Sequence, residues 1–174
     1  MPDLLISFSP LKYCFISIPL RYANALWDQH SDPFKIVLSV ASGGSSSKQS
    51  TLYVGWNGGC SQPIGGKETL EIDTQWAKLL GFKEGQVVNM NVVSHQIVSQ
   101  EADSVKNPII HVEPLNEDDW EILELNAGLL EEQFLNQARV IQEGGIVTIW
   151  AHNQSFINIK VGKILISKLT SSIH

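Results

Sequence analysis

The residues that invite a chemical reading can be taken first. The stretch GGCSQPIGGKET (58–69) has the glycine density of a phosphate-binding loop, with a Gly-Lys pair at Gly66 and Lys67. Spacing excludes that loop, which needs glycine at 61 and a hydroxyl residue at 68, where this chain has Ser61 and Glu68. A glycine-rich hairpin tip is expected instead, because glycine supplies the positive φ of tight turns. The five histidines, His30, His95, His111, His152 and His174, are scattered and have no partner at metal-ligand spacing. Cys14 and Cys60 form neither a metal motif nor a disulfide framework, and no basic residue adjoins either thiol. There is no G-x-S-x-G element. The sequon at Asn153 would matter only in a secreted chain. Catalysis, metal binding and nucleotide hydrolysis therefore find no constellation, which leaves binding as the favoured class of function.

Composition narrows the class further. The chain has 174 residues, 43% hydrophobic and 17% charged, which is the balance of a folded domain and gives length for one compact unit or two small lobes. No apolar run reaches the length of a membrane-spanning helix. The apolar start, MPDLLISFSPLKYCFISIPL, is not expected to be a signal peptide, because Asp3 stands where a basic region belongs and Pro10, Lys12 and Pro19 interrupt it. Charge is uneven. Residues 1–99 carry seven Lys/Arg and seven Asp/Glu, whereas 100–174 carry five and eleven, so the net charge of −6 lies in the second half. Such a split suggests two units with different surfaces and argues against nucleic acid as a partner of the second.

Elements that would position a binding surface follow from periodicity. Residues 12–18 read as a strand, and Pro19 opens a helix with Leu20, Ala23 and Trp27 on its inward face. Residues 34–40 alternate as a strand with Phe34, Ile36, Leu38 and Val40 inward, followed by a Ser/Gly-rich loop. LYVGW (52–56) puts Leu52, Val54 and Trp56 on one face, and TLEID (69–73) is a further strand candidate. TQWAKLLGF reads as a short helix closed by Gly81, and Val88, Met90 and Val92 alternate after it. Two strand–helix–strand halves suit an internally duplicated small barrel.

The polar stretch SQEADSVKNP (99–108) marks a boundary, giving a first lobe over 1–100 and a second over 108–174. In the second, IIHVEPL, ARVI, IVTIW and FINIKVGKILI read as strands. Asn116 is expected to cap a helix with Asp119 three residues on, and Glu117, Asp118 and Asp119 suit its first turn. Trp120, Leu123 and Ala127 share one face, and Ile122, Leu125 and Leu129 another, as in a helix packed on more than one side with Trp120 buried. Asn126, Ala127 and Gly128 should break it, so that LLEEQFLNQ forms a second short helix.

The stretch VEPLNEDDWEILELNAGLLEEQFLNQARVI, and DDWEILELNA (118–127) in particular, resembles the start of the second lobe in the N-terminal domain of the peroxisome biogenesis factor 1 family. Members of that family are double-ring AAA ATPases of peroxisomal matrix-protein import, related to valosin-containing protein and the N-ethylmaleimide-sensitive factor. The segment LGFKEGQVVNMNV (80–92) resembles the helix–turn–strand element of double-psi β-barrels, and Gln86 stands where many relatives carry aspartate, which leaves open the side-chain bond that usually ties this turn. The resemblance covers nearly all of 12–166.

It implies a β-rich α+β fold: a double-psi β-barrel, then a smaller β-lobe carrying two short helices, with a groove between the lobes. It implies a non-catalytic N-terminal domain that docks adaptor or substrate proteins during receptor recycling, with phosphoinositide binding as a further property. ATP and Mg would belong to ATPase modules of a longer parent chain. Those modules would also contact the partner ATPase, peroxisome biogenesis factor 6, and the whole would be cytoplasmic and peripheral on the peroxisomal membrane. Loose alignment with relatives places His30, Val54, Trp56 and Gln133 at the groove. A lipid headgroup would need a small basic patch, for which Arg21, Lys48 and Lys67 are the candidates. The alternatives are a standalone adaptor of the ubiquitin-recognition type with the same two-lobe fold and, from a different class, a small double-psi-barrel enzyme.

Overall fold

The computed structural model describes residues 3–30, 32–42, 51–93, 109–151 and 155–165. The expected linker at 99–108, the Ser/Gly loop at 43–50 and Lys48 lie outside them.

Alternation builds the first lobe. Strands β1 (Asp3–Ser9), β2 (Phe15–Pro19), β3 (Val37–Ser42), β4 (Thr51–Ser61), β5 (Thr69–Asp73) and β6 (Val87–Val92) close into a barrel in the order β1-β5-β2-β4-β3-β6. Two pairings are parallel, β1 with β5 and β2 with β4, and the rest are antiparallel. Every second side chain points inward, so Leu4, Ile6, Ile16, Ile18, Leu38, Val40, Val54, Trp56, Leu70, Ile72 and Val88 fill the interior. Closure leaves this sheet no unpaired edge. Strand β1 lies in the apolar N-terminal stretch. Its alternating Leu4 and Ile6 are the barrel signal.

Helix α1 (Leu20–Gln29) starts one residue later than expected, with Pro19 as its cap. Its buried residues are Ala23 and Leu26, while Leu20 and Trp27 are exposed, so the inward face is rotated from the one the spacing suggested. Trp27 still contacts the barrel, edge-on to Trp56 with ring centroids 5.5 Å apart. Phe34 falls in a short 3-10 turn (Pro33–Lys35), half out of the core.

Helix α2 (Thr74–Leu79) is held at both ends. The buried Asp73 carboxylate accepts the backbone N–H groups of Gln75 (2.9 Å), Trp76 (3.2 Å) and, from across the lobe, Lys12 (2.9 Å). Gly81 at φ 81° ends the helix, with Gly81 N–H bonded to Lys78 O and Phe82 N–H to Ala77 O. At the following turn Gln86 Oε1 accepts Lys83 N–H at 2.9 Å, so glutamine makes a side-chain bond there. The glycine-rich stretch divides: Gly58 and Gly59 belong to β4, whereas Gly65 and Gly66, both at positive φ, form a two-residue turn closed by Ile64 and Lys67.

The second lobe is a three-stranded antiparallel sheet, β7 (Ile109–Pro114), β9 (Phe156–Leu165) and β8 (Ile146–Trp150) in the order β7-β9-β8, covered by α3 (Glu117–Gln137). Here the sequence expectations need three corrections. First, α3 is one continuous helix of 21 residues, not two short ones. Glycine inside a helix costs only about 1 kcal/mol, and Asn126, instead of breaking the turn, donates to the Ile122 carbonyl at 2.8 Å. Second, the helix packs on one side only. Asp119 and Leu130 are its buried residues, whereas Trp120 is 50%, Leu135 62% and Leu125 78% exposed. The wide apolar arc is therefore partly a surface. Third, ARVI (138–141) joins no strand; it is an extended connector whose Arg139 guanidinium lies 4.1 Å from the centre of the Phe34 ring. Asn116 does cap α3, yet without a side-chain bond to the backbone. Its amide meets Asp119, whose carboxylate accepts Asn158 N–H at 3.2 Å and so ties the helix start to β9.

These placements predict unequal tryptophans. Trp56→Ala, which empties the barrel centre, should cost about 3–5 kcal/mol in urea unfolding, and Trp120→Ala at most about 0.5 kcal/mol. Equal losses would contradict the exposed position of Trp120.

Candidate functional site

The two lobes meet along a seam of satisfied polar groups. Its hub is Gln137, the last residue of α3. The Gln137 side-chain amide donates to Trp150 O at 2.9 Å and accepts Trp150 N–H at 2.7 Å, acting as an added strand beside β8. The Gln137 backbone carbonyl accepts Cys14 N–H at 2.6 Å, which brings in the start of β2 from the barrel. Cys14 Sγ–H donates to Thr148 O at 3.2 Å, and Trp76 Nε1–H of α2 donates to Ile146 O at 2.9 Å. Four bonds thus hold β8 against the barrel lobe and the end of α3. Among the described residues, no buried side-chain nitrogen or oxygen lacks a partner. Such networks are stable only when every member is satisfied.

Burial has a consequence for Cys14. Desolvation pushes its thiol far above the ordinary range, and the Asp73 carboxylate adds to the effect. The folded chain therefore holds this proton where the unfolded chain, with a thiol pKa of about 8.5, gives it up.

Two depressions flank the seam. The larger, of about 350 Å³, is lined from the barrel by Val37, Tyr53 and Val93 and from the connector by Val140, Ile141, Arg139 and Gln142. Its walls are apolar, with a cation and an amide to orient a ligand, which is the anatomy of a site for a protein segment. The smaller, of about 180 Å³, lies among Pro10, Lys12, Asp73, Thr74, Gln75, Trp150 and Phe156.

The residues expected at the groove do not line either depression. Val54 and Trp56 are 1% and 0% exposed inside the barrel, and the Trp56 indole donates internally to Gly59 O at 2.8 Å. Strand alternation, which made them conspicuous, is what turns them inward. His30 sits at the end of α1 with its N–H on Leu26 O, and Gln133 is half-buried on α3 beside Asn136. The groove wall comes instead from Tyr53, the outward neighbour of Val54, and from the connector. A signal was present: CFISI (14–18) is apolar without alternation, as a strand covered on both faces must be. Of the basic candidates, Arg21 is paired with Glu68 and stacks on Tyr22, whereas Lys67 is exposed at the hairpin turn. That turn has neither the strand–loop–helix form nor the enclosed amides of a nucleotide site, so ATP and Mg find no fit in it.

A closed six-stranded barrel joined through a satisfied seam to a helix-covered three-stranded sheet defines a β-rich, two-lobe domain. Comparison with known proteins supplies the family. Residues 109–172 match the family described as peroxisome biogenesis factor 1, N-terminal. The chain is 30% identical over 168 residues to the peroxisomal ATPase PEX1 of Dictyostelium discoideum, which covers 91% of this chain and 13% of that protein. It is also 30% identical to the Cricetulus griseus protein of that name and 28% identical to the Homo sapiens one, in each case over 156 residues, 90% of this chain and 11% of the relative. Family model and relatives agree, and the chain is an N-terminal domain of the peroxisome biogenesis factor 1 kind. It spans only 11–13% of the length of these relatives.

Two outcomes follow from the seam. Gln137→Ala leaves the Trp150 N–H and C=O without their partner and should cost about 1–3 kcal/mol in urea unfolding. Gln137→Glu, which can accept from Trp150 but not donate, should fall between that variant and the parent. For Cys14 the raised folded-state pKa means that its contribution is complete below the unfolded pKa and is lost as pH rises beyond it. At pH 8 a disulfide reagent should titrate Cys60, which is exposed, and reach Cys14 only on unfolding. Above about pH 9 the parent should lose stability faster than Cys14→Ala by up to about 1.4 kcal/mol per pH unit. Rapid modification of both thiols in the folded chain would contradict the buried seam.

Proposed function

We propose that this chain is the non-catalytic docking domain of a peroxisomal AAA ATPase acting in peroxisome biogenesis, and that its interlobe groove receives an adaptor or substrate protein. The observation that carries this reading is the apolar groove around Tyr53, Val140 and Ile141, set beside a seam that fixes the two walls relative to each other. The names of the relatives support the setting. The barrel is proposed to be of the double-psi kind, supported by its two parallel pairings within an otherwise antiparallel closed sheet. ATP hydrolysis, and contact with peroxisome biogenesis factor 6, would belong to modules of a longer parent, working in the cytoplasm at the peroxisomal membrane. Phosphoinositide binding, the other property implied by the resemblance, would rest on Lys67 and Lys48, since Arg21 is paired with Glu68. Flotation on phosphoinositide vesicles, compared with Lys67→Glu, tests it separately.

The docking reading is tested in the full-length parent protein. A photocrosslinking amino acid at Tyr53 should capture a defined partner, while the same group at Ile64, exposed on the hairpin turn, should not. Tyr53→Arg should impair matrix-protein import with the protein's folded level and ATPase activity unchanged. Full import by that variant would overturn the groove's role.

A further inference from the structure

The second lobe holds another opening, of similar size, that belongs to neither wall of the groove. Between α3 and the sheet lies a cavity of about 360 Å³, walled by Ile110 and Val112 of β7, Ile157 of β9, and Leu123, Phe134 and Glu131 of α3. Strand β7 is an edge of its sheet, so the cavity sits between that edge region and one flank of the helix. The exposed Trp120 falls on the same flank: Trp120, Leu123, Ala127 and Phe134 are spaced 3, 4 and 7 residues apart, one stripe about 21 Å long. Apolar surface that a helix presents in this form suits a second amphipathic helix of similar length.

Charge on the same element selects the occupant. Helix α3 carries Glu117, Asp118, Asp119, Glu121, Glu124, Glu131 and Glu132 and no basic residue. Helix capping accounts for the first three, because a helix N-terminus favours anions. It does not account for Glu131 and Glu132, which lie toward the C-terminus, where the dipole disfavours them; Arg139, just past the helix end, is turned to the Leu135 carbonyl and the Phe34 ring and makes no ion pair with either. Asp119 is taken up by Asn158 N–H, and the other six are exposed, with no ion pair among the described residues. Glu131 is itself part of the cavity wall, and Glu124 lies on the same flank two turns earlier. An apolar slot rimmed by unpaired carboxylates repels anionic lipid headgroups and attracts cations.

We propose that the flank of α3 facing β7 is a second docking site, distinct from the interlobe groove, for a basic amphipathic helix of a partner protein. The partner's apolar side would enter the slot beside Trp120, Leu123 and Phe134, and its lysines or arginines would meet Glu124 and Glu131.

The probe is a synthetic 18-residue helix of leucine and lysine with apolar residues at i, i+3, i+4 and i+7, titrated into the isotope-labelled chain. A peptide of the same composition in scrambled order serves as control. Amide shifts should concentrate on α3 and β7, and only the ordered peptide should produce them. The double variant Glu124→Lys, Glu131→Lys should weaken binding about tenfold at low salt, and the parent's affinity should fall as salt is added. Ala127→Trp, at an exposed position on the rim, should block the peptide without lowering the melting temperature. Equal binding of the scrambled peptide, shifts centred on Tyr53 and Val140, or full affinity in the charge-reversed variant would overturn the proposal. So would saturation by an uncharged alkyl detergent monomer with no binding of the peptide, which would mark a lipid-type cavity instead.

Discussion

The arrangement of both lobes turns on one residue, Gln137, whose side chain holds its own sheet and whose backbone carbonyl reaches the barrel. A helix end leaves its last carbonyls unpaired, and an edge strand leaves N–H and C=O groups unpaired along its length. Here one residue meets both deficits. The Gln137 amide serves Trp150 of edge strand β8 in both directions, and the backbone carbonyl of the same residue takes Cys14 N–H from the barrel. The helix stops at this residue: Ala138 turns extended, and the connector runs off along the barrel wall. From the other end of α3, Asp119 holds Asn158 of β9, and Asn158 accepts Thr148 Oγ1–H of β8 at 2.8 Å. A single helix therefore fixes its own sheet and that sheet's place against the barrel.

This explains why a groove can exist beside the seam without collapsing. Its two walls are Tyr53 and Val37 on the outside of the barrel and Val140 and Ile141 on the connector. The barrel wall is held by the β3–β4 ladder, with Val37 opposite Gly55 and Tyr53 opposite Ser39. The connector is held at its start by buried Ala138 and by the Cys14 N–H bond to Gln137 O just before it, and Arg139 over Phe34 adds a contact nearer the opening. Walls fixed before anything binds carry little further ordering entropy. The core is continuous from barrel to sheet, from Leu4 and Trp56 through Cys14 to Ile149 and Val161, so the lobes differ in surface charge more than in independence.

Much of this was legible in the sequence, for identifiable reasons. Alternation found β3, β4 and β6, and Gly81 found the end of α2, because each depends on residues close in the chain. The uneven charge and the polar stretch 99–108 pointed to two lobes, and the family signal in 118–127 to their kind. What escaped was set by distant partners. Strand β1 shows only a short alternation of Leu4 and Ile6 in an apolar N-terminus, and its partners β5 and β6 lie more than sixty residues on. The break in α3 was expected from Asn126 and Gly128, whose local preferences are outweighed by packing of Leu130 and by anchors at Asp119 and Gln137. Trp120 was expected inside because a large aromatic on a patterned helix usually is. Val54 and Trp56, expected at the groove, face the barrel interior, and of their strand it is Tyr53 that lines the depression, since the most apolar side chains of a barrel strand are the ones turned inward. Connector 138–141 read as a strand because β-branched residues also suit an extended segment lying on a barrel.

The claim at the centre is that the seam makes one cooperative unit of two lobes. Native-state hydrogen exchange on the intact chain tests it most directly. The slowest amides of β4 in the barrel and of β9 in the second lobe should exchange with the same free energy of opening, and Gln137→Ala should lower both together. Two separate plateaus, with the second lobe opening well below the barrel and the variant affecting that lobe alone, would contradict it.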